Sequence, residues 1–570
     1  MQKSANLYLF TFFIWIIVSA VADKQLYSLL NYDKATLKLL WIICIAILNY
    51  FWLFSCYHVS SYLFSLFYQP QHKNSNTLRI FNSCPHVAIL YTTKNDFLPL
   101  CVESCIHLDY LNCHTFICDD SNDQSIERII DQFSEKHRNR CSIIRRDNNV
   151  GFKAGNLNNA LRLIHPQYKY IVIADHDSAL PSNFIQASLK YFQDNRNLAF
   201  VQAIHQGEIC YRSAFSRDLA LGVDCLWEYL NLKNRFGLTS CFGHGVFIDR
   251  QVINEVGGFP EIISEDLGFT ALVRDKGYIG IVAKELVCGE GIPANLNQFR
   301  RRYEKWLIGI LEFSQNFLVR FISNKKISYA EKIDLLFQSL SLINSIPLFF
   351  FILLINVFIP SYFGKHEILT IESELFGFAY NFDIIATNHL FTYTNTEFIR
   401  IIVVFSIVSP LLYFLKYFRV EPIKTLRYIF VSFVCFCSIV IPNTISTILF
   451  LIKKKYSYRS TGDYKEDRLF DCSGAWYFNF QVGKILSVSI EVFLYAILLF
   501  FGIKTVNLFL LSFALAGLFG PILIFGKWDN KLISFFKYIP FVFLLLQLIV
   551  ISMSILGYAG VFSQIFIIHF

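Results

Sequence analysis

The sequence is short of charge. Asp, Glu, Lys and Arg together make up only 16% of its 570 residues, against roughly 25% in soluble domains. With 54% hydrophobic residues, that shortage excludes an intrinsically disordered chain and a wholly soluble enzyme. None of the 15 cysteines forms a CxxC pair, and the spacing of Cys101, Cys105, Cys113 and Cys118 is wrong for zinc, so they read as free, mostly buried thiols. No Lys/Arg run is interleaved with aromatics, so nothing points to nucleic acid as a partner. What is abundant is aromatic: 60 Phe and 17% aromatics in all. The net charge of +8 fits a membrane protein whose cytoplasmic flanks carry the positive excess against membrane lipid.

Two apolar segments open the chain. Leu7–Ala22 is short enough for a signal peptide, but Leu37–Phe67 follows at once, and the two read better as a transmembrane hairpin over residues 1–68. The composition changes abruptly at Gln69. Residues 69–299 hold short apolar runs (Val87–Tyr91, Thr115–Cys118, Tyr170–Ala174, Ala199–Val201) alternating with charged helical stretches, which predicts an α/β domain with a largely parallel sheet. Residues 300–570 are apolar again. Trp306–Ile322 is amphipathic and suits a helix in the membrane interface. Leu335–Pro360, Ile401–Phe418 and three stretches near 484–503, 506–526 and 534–556 are candidate spans. Tyr428–Ile452 has basic flanks at both ends and Pro442 in its middle, so it reads as an interfacial or re-entrant helix. About seven spans result, two of them before the α/β domain. That count and the basic loops predict a multi-pass integral membrane protein with its α/β domain in the cytosol.

Five motifs follow one another inside that domain. Tyr91-Thr-Thr-Lys-Asn-Asp96 and Cys118-Asp-Asp-Ser121 each end an apolar strand, where α/β folds bind ligands. An acid in the second, Asp119 or Asp120, is placed to accept hydrogen bonds from a base or ribose, or to cap a helix. Gly151-Phe-Lys-Ala-Gly-Asn-Leu-Asn158 joins glycines that let backbone approach a ligand to Lys153, a compact charge suited to a diphosphate. Asp175 and Asp177, alternate residues after a buried strand, repel each other unless a cation lies between them, and hard Mn2+ or Mg2+ suits such oxygens. His176 points the other way on a strand and is not taken as a ligand. Ser264-Glu-Asp266 presents Asp266 as a general base beside Glu265, with Ser264 as a helix cap.

In this order the motifs resemble those of the membrane-embedded family-2 glycosyltransferases, the group of cellulose, chitin and hyaluronan synthases. The resemblance covers about residues 85–310 and is strongest to cellulose-synthase-like members. It implies a GT-A domain inserted in an α-helical multi-pass membrane domain with interfacial helices, a nucleotide-diphosphate sugar donor and inversion at the anomeric carbon. Carried over, Thr93 and Asp96 match the loop that cups the nucleotide, Asp119 or Asp120 the base-and-ribose acid, and Lys153 the diphosphate lysine. Asp175 and Asp177 match the metal pair, and Asp266 with Glu265 the catalytic acids. Arg302-Tyr-Glu-Lys-Trp306 stands where the family carries QxxRW. Lys305 replaces its donor-contacting arginine, Arg302 its glutamine, and Trp306 is kept for the acceptor sugar. Val201-Gln-Ala-Ile-His205 resembles a further stretch of cellulose synthases. Cys241-Phe-Gly-His-Gly245 puts His244 in the acceptor slot, where it either contacts an acceptor hydroxyl or is a buried imidazole. Tyr458 and Thr461 occupy the place of a gating loop.

The expected activity is processive transfer from a UDP-sugar, UDP-glucose being the best guess and UDP-N-acetylglucosamine the other, into a polysaccharide that crosses the membrane. The alternative is a non-processive enzyme with a lipid acceptor, and the third reading a degenerate transporter or scaffold. Accessory subunits or a homo-oligomer are compatible with the resemblance.

Overall fold

A computed structural model describes residues 3–26, 34–68, 84–207, 213–373, 378–386, 405–406, 408–453, 475–525, 536–555 and 567–569. Helices α1 (Asn6–Leu26) and α2 (Ala35–Phe67) come first. The α/β domain follows as β1 (His86–Thr93), α3 (Pro99–Ile106), β2 (Cys113–Asp119), α4 (Gln124–Lys136), β3 (Cys141–Arg145), α5 (Phe152–Leu163), β4 (Tyr168–Asp175), α6 (Phe184–Asp194) and β5 (Leu198–Gln206). It continues as α7 (Ala214–Leu230), α8 (Lys233–Phe236), β6 (Val246–Asp249), α9 (Arg250–Val256), α10 (Glu265–Lys276) and β7 (Ile279–Gly289).

The seven strands form one sheet in the order β3-β2-β1-β4-β6-β5-β7. All neighbours are parallel except at β6, which is antiparallel to both β4 and β5. This is the mixed sheet of a GT-A fold. The central strands are continuous apolar runs because both faces are covered. Alternate residues point to opposite faces, so Val87, Ile89 and Tyr91 pack with α3, α4 and α6, while Ala88 and Leu90 pack with α5, α9 and α10. Parallel register sets Thr93 beside Asp119 and Thr92 beside Asp175. Three of the sequence motifs thereby meet at one edge of the sheet.

After the domain come α11 (Leu296–Phe313), α12 (Tyr329–Leu342), α13 (Ser345–Phe363), α14 (Pro422–Lys453), α15 (Ala475–Lys504), α16 (Leu508–Phe525) and α17 (Ile539–Ile555). A β-hairpin, Lys365–Ser373 with Phe378–Ala386, stands between α13 and α14. Among the described residues five helices are long and apolar enough to cross a membrane: Asn6–Lys24, Ala35–Phe67, Ser345–Phe363, Pro422–Ile452 and Ser487–Lys504.

Three expectations need correction. The amphipathic helix begins at Leu296, ten residues before Trp306, because Asn295 caps it by accepting from the Gln298 amide at 2.9 Å. Arg302, Lys305 and Trp306 therefore lie inside one regular helix. The span expected over Leu335–Pro360 is two helices. The first, α12, starts at a capping box of Ser328 and Glu331 and ends at Leu342; only the second is a candidate span. The segment Tyr428–Ile452 does not turn back on itself: α14 is a single helix of 32 residues that runs through Pro442. Pro442 removes only the one helical bond to the Ser438 carbonyl; nearby, the Tyr495 hydroxyl donates to the Cys437 carbonyl at 2.6 Å and Thr444 Oγ1 to the Val440 carbonyl at 2.8 Å.

Candidate active site

Lys153 is the hub of the cleft. It stands in the first turn of α5, the helix opened by the left-handed Gly151 at φ 75°. Its Nζ lies 2.6 Å from Asp175 Oδ1 and 3.4 Å from Glu265 Oε1, and donates to the Gly243 carbonyl at 3.0 Å. Burial alone would lower this amine, but Asp175 and Glu265 outweigh it and raise the amine well above its usual range. Burial would likewise raise Asp175; Lys153, His244 and a 2.8 Å bond from Thr92 Oγ1 hold it well below the usual carboxylate range instead. Gly243, at φ +81°, leaves open the space between these groups. A β-carbon there would stand 3.3 Å from Lys153 Nζ and 3.4 Å from Asp266 Oδ2.

Asp266 sits in the first turn of α10, half-buried beside Glu265. Burial and the neighbouring Glu265 charge push its carboxyl up to about 7, while Lys153 and Lys305 pull it down. Lys305 is thus brought within electrostatic reach of Asp266. Ser264 occupies the N-cap position but makes no capping bond with its side chain, contrary to expectation. Its hydroxyl instead packs against Gly309 of α11, where a β-carbon would stand 2.2 Å away.

Asp177 faces Arg302, whose Nη2 is 3.7 Å from Asp177 Oδ2. The same guanidinium donates to Glu290 at 3.1 Å and to the Gly291 carbonyl at 2.9 Å, and lies 5.9 Å from the Trp306 ring. Glu290 also pairs with His205 at 3.2 Å. Burial would raise Glu290, but the His205 bond and Arg302 hold it at about 2. The His205 ring stacks on His244 at 4.0 Å, and His244 Nδ1 meets the Ser178 hydroxyl at 2.8 Å. Burial and His205 push His244 down to about 4, so it is a neutral imidazole at physiological pH. It is buried, yet its ring stays within electrostatic reach of Asp175 and Asp177.

Beyond the end of β1, Asp96 accepts from Thr93 Oγ1 at 2.9 Å and the Lys94 amide at 2.7 Å. Burial pushes its carboxyl up. His176 does not turn away from the acids as expected: it lies 3.3 Å from Asp96 and 4.0 Å from Asp177. Neither strand-end acid caps a helix, because Asp123 caps α4. Asp119 pairs with Arg145 at 2.8 Å, and Asp120 takes both arms of Arg146 at 2.8 and 2.6 Å. Trp306 keeps 40% of its surface exposed and packs edge-on against Tyr303 at 5.0 Å. Tyr458 and Thr461 lie outside the described residues.

Sequence reasoning missed Glu290, Thr92, Arg145 and Arg146. Glu290 follows a strand that was not recognised, and the other three act through the parallel register, which pairs residues remote in sequence.

The acids and cations named above converge at the ends of β1, β2 and β4 and the start of α5 and α10, and all of these elements but α10 fall within a match to a known family. Residues 87–257 match the family model "Glycosyl transferase family 2". The chain carries a family-2 glycosyltransferase domain. It is 23% identical over 235 residues to glucomannan 4-beta-mannosyltransferase 2 of Arabidopsis thaliana, covering 39% of this chain and 43% of the relative. It is 24% identical over 261 residues to a probable glucomannan 4-beta-mannosyltransferase 11 of the same plant, covering 43% and 58%. The chain thus spans about half the length of the curated relatives it matches. Among solved structures, it resembles a mannosyltransferase from Pyrobaculum calidifontis in complex with GDP-Man and Mn2+ at 16% identity and a TM-score of 0.44, covering 57% of this chain and 87% of that one.

Proposed function

We propose that the protein transfers a hexose, with inversion, from a nucleotide-diphosphate sugar to the growing end of a polysaccharide at a membrane. The observation that carries this reading is the pairing, in one cleft, of a carboxyl group pushed up to about 7 (Asp266) with a cation-and-carboxylate cluster suited to a diphosphate (Lys153, Asp175, Asp177). Asp266 takes the proton from the acceptor hydroxyl as that oxygen attacks the anomeric carbon; the bond to the diphosphate oxygen breaks on the opposite face. A carboxyl near neutrality suits this task better than an ordinary one, because it accepts a proton readily while a substantial fraction is ionised at physiological pH. Lys153, at the start of α5, meets the leaving diphosphate at the positive end of that helix. Asp96, Asp119 and Asp120, braced by their partners, border the nucleotide.

Asp175 and Asp177 fit a divalent cation. They offer hard carboxylate oxygens from alternate residues, and the acids of the cleft (Asp175, Asp177, Glu265, Asp266, Glu290) exceed its cations (Lys153, Lys305, Arg302). When bound, Mn2+ or Mg2+ would supply positive charge against the departing diphosphate.

Trp306, half exposed on α11, presents an indole face to the acceptor sugar. The apolar helices would hold the enzyme in the membrane, the domain on the cytosolic side, and take the polymer outward. The domain limits 1–68, 69–299 and 300–570 belong to this reading. The relatives are named for mannose transfer, so GDP-mannose joins UDP-glucose as the donor to test first. The test is incubation of the full chain in detergent with Mn2+ and each radiolabelled donor, beside Asp266→Asn. Label in high-molecular-weight product, absent from the variant, supports the proposal; label confined to a lipid extract replaces it with the lipid-directed reading.

A further inference from the structure

The two acids of the proposed metal pair are not treated alike by the rest of the chain. Asp175 is held by Lys153 at 2.6 Å and by Thr92 at 2.8 Å. Asp177 has no hydrogen-bond partner that close among the described residues; what it faces is the Arg302 guanidinium at 3.7 Å, with the His176 imidazole farther off at 4.0 Å. That guanidinium is fixed by three other groups: Glu290 at 3.1 Å, the Gly291 carbonyl at 2.9 Å and the Trp306 ring one turn along α11. Both Arg302 and Asp177 stay partly accessible, at 20% and 14% of their side-chain surface. The positive charge is therefore parked beside Asp177 without bonding it directly. The resemblance puts an uncharged glutamine at this position, so the charge is a departure of this chain.

We infer that Arg302 is the protein's own counter-cation for Asp177: it opposes a divalent cation there while no donor is present, and turns onto the diphosphate when a donor arrives with its cation. The inference rests on the proposed donor reading. Its physical basis is that unlike charges in a partly closed cleft attract across a few ångströms and like charges repel with similar strength. A free divalent cation meets Arg302 as a competitor. A cation bound to a diphosphate brings negative oxygens, to which a guanidinium offers two parallel donors. Arg302 thus biases the empty site against bare metal and in favour of metal with nucleotide.

The bland alternative is that Arg302 only ties the end of β7 to α11. The two differ in sign. The full chain, in detergent, is titrated with Mn2+ alone, free Mn2+ being read from its paramagnetic resonance signal, and separately with UDP and GDP in the presence of Mn2+. Arg302→Gln is expected to bind Mn2+ about tenfold more tightly than wild type and the nucleotides about tenfold more weakly. Arg302→Lys, which keeps the charge, stays within about threefold of wild type for Mn2+. Adding Asp177→Asn to Arg302→Gln abolishes the gain. If Arg302→Gln does not yield a folded protein, Arg302→Met keeps the packing over Trp306 and carries the same expectation. Mn2+ affinity unchanged or weakened on removing the charge, in a protein that still unfolds cooperatively, overturns the inference. Wild-type protein that binds neither Mn2+ nor nucleotide overturns the donor reading itself.

Discussion

Gly309 of α11 and Ser264, the residue before Glu265 and Asp266, are in such close contact that a β-carbon on the glycine would stand 2.2 Å from the serine hydroxyl. The helix that carries Trp306 and the turn that carries Asp266 are locked together at this point. The proposed acceptor-binding ring and the proposed base are thereby held in fixed relation.

Gly309→Ala should therefore cost activity more than stability. Overpacking costs about 1–3 kcal/mol where the surroundings must move, and a displacement of about 1 Å in a reacting pair costs up to ~100-fold in rate. The expected result is a kcat reduced at least tenfold, with Kd for nucleotide little changed because the contact does not touch the donor loops. Steady-state kinetics beside nucleotide titration checks this.

Asp266→Asn should abolish transfer, by roughly 100-fold or more, and stabilise the protein in alkaline buffer. The sign follows from the raised carboxyl. Its value is about 7 in the folded chain against 3.8 in the reference state, so ionisation opposes folding and the wild type loses stability as pH rises across that window. Below about pH 4 both states are protonated and the variant gains nothing. Thermal unfolding at pH 4 and pH 8.5 should show the variant's advantage only at the higher pH, and wild-type activity should rise with an acidic limb near pH 7.

Much of this site was legible in the sequence because its residues terminate apolar runs. Strands β1, β2, β4 and β5 announce themselves as buried stretches, and each of Thr93, Asp119 and Asp175 is the last residue of one. Strand β6 has only four residues, and β7 is interrupted by Lys284 and Glu285. Glu290 had no visible strand to sit on, and Arg302 lost its most telling partner as a result. Among the apolar helices, Pro442 argued for a break from its missing amide. The helix nonetheless runs on for 32 residues, since one proline costs it a single bond, the one to the Ser438 carbonyl. The two arginines behind Asp119 and Asp120 come from the end of β3 and the residue after it, and only the pairing of β2 with β3 brings Arg145 to Asp119.

Helix α10 is anchored at the end far from Asp266. Arg274, in its last turn, holds Glu331 of α12 through bonds of 2.7 and 3.0 Å, and both side chains are buried. Removing one partner of a buried pair leaves an uncompensated charge, which costs about 3–5 kcal/mol. Glu331→Gln should thus lower the unfolding temperature clearly. Glu331→Gln combined with Arg274→Met, which removes both charges, should recover part of the loss, a result a simple cavity would not give.

Lys153 sets the working pH of its neighbour. It lowers the Asp266 carboxyl, whose burial and Glu265 neighbour push it up. Lys153→Met takes that positive charge away and leaves Asp175, Glu265 and Asp266 facing one another. The acidic limb of the pH–rate profile should then move above pH 7, in addition to a fall in kcat of about 100-fold from the lost diphosphate contact. Lys153→Arg keeps the charge, so the limb should stay near its wild-type position, although the bulkier, planar guanidinium cannot occupy the compact space between Asp175, Glu265 and the Gly243 carbonyl as the amine does. If both variants lost rate equally and neither moved the limb, Lys153 would serve the diphosphate alone. A limb that moves only in Lys153→Met ties the titration to the charge, and through it to Asp266.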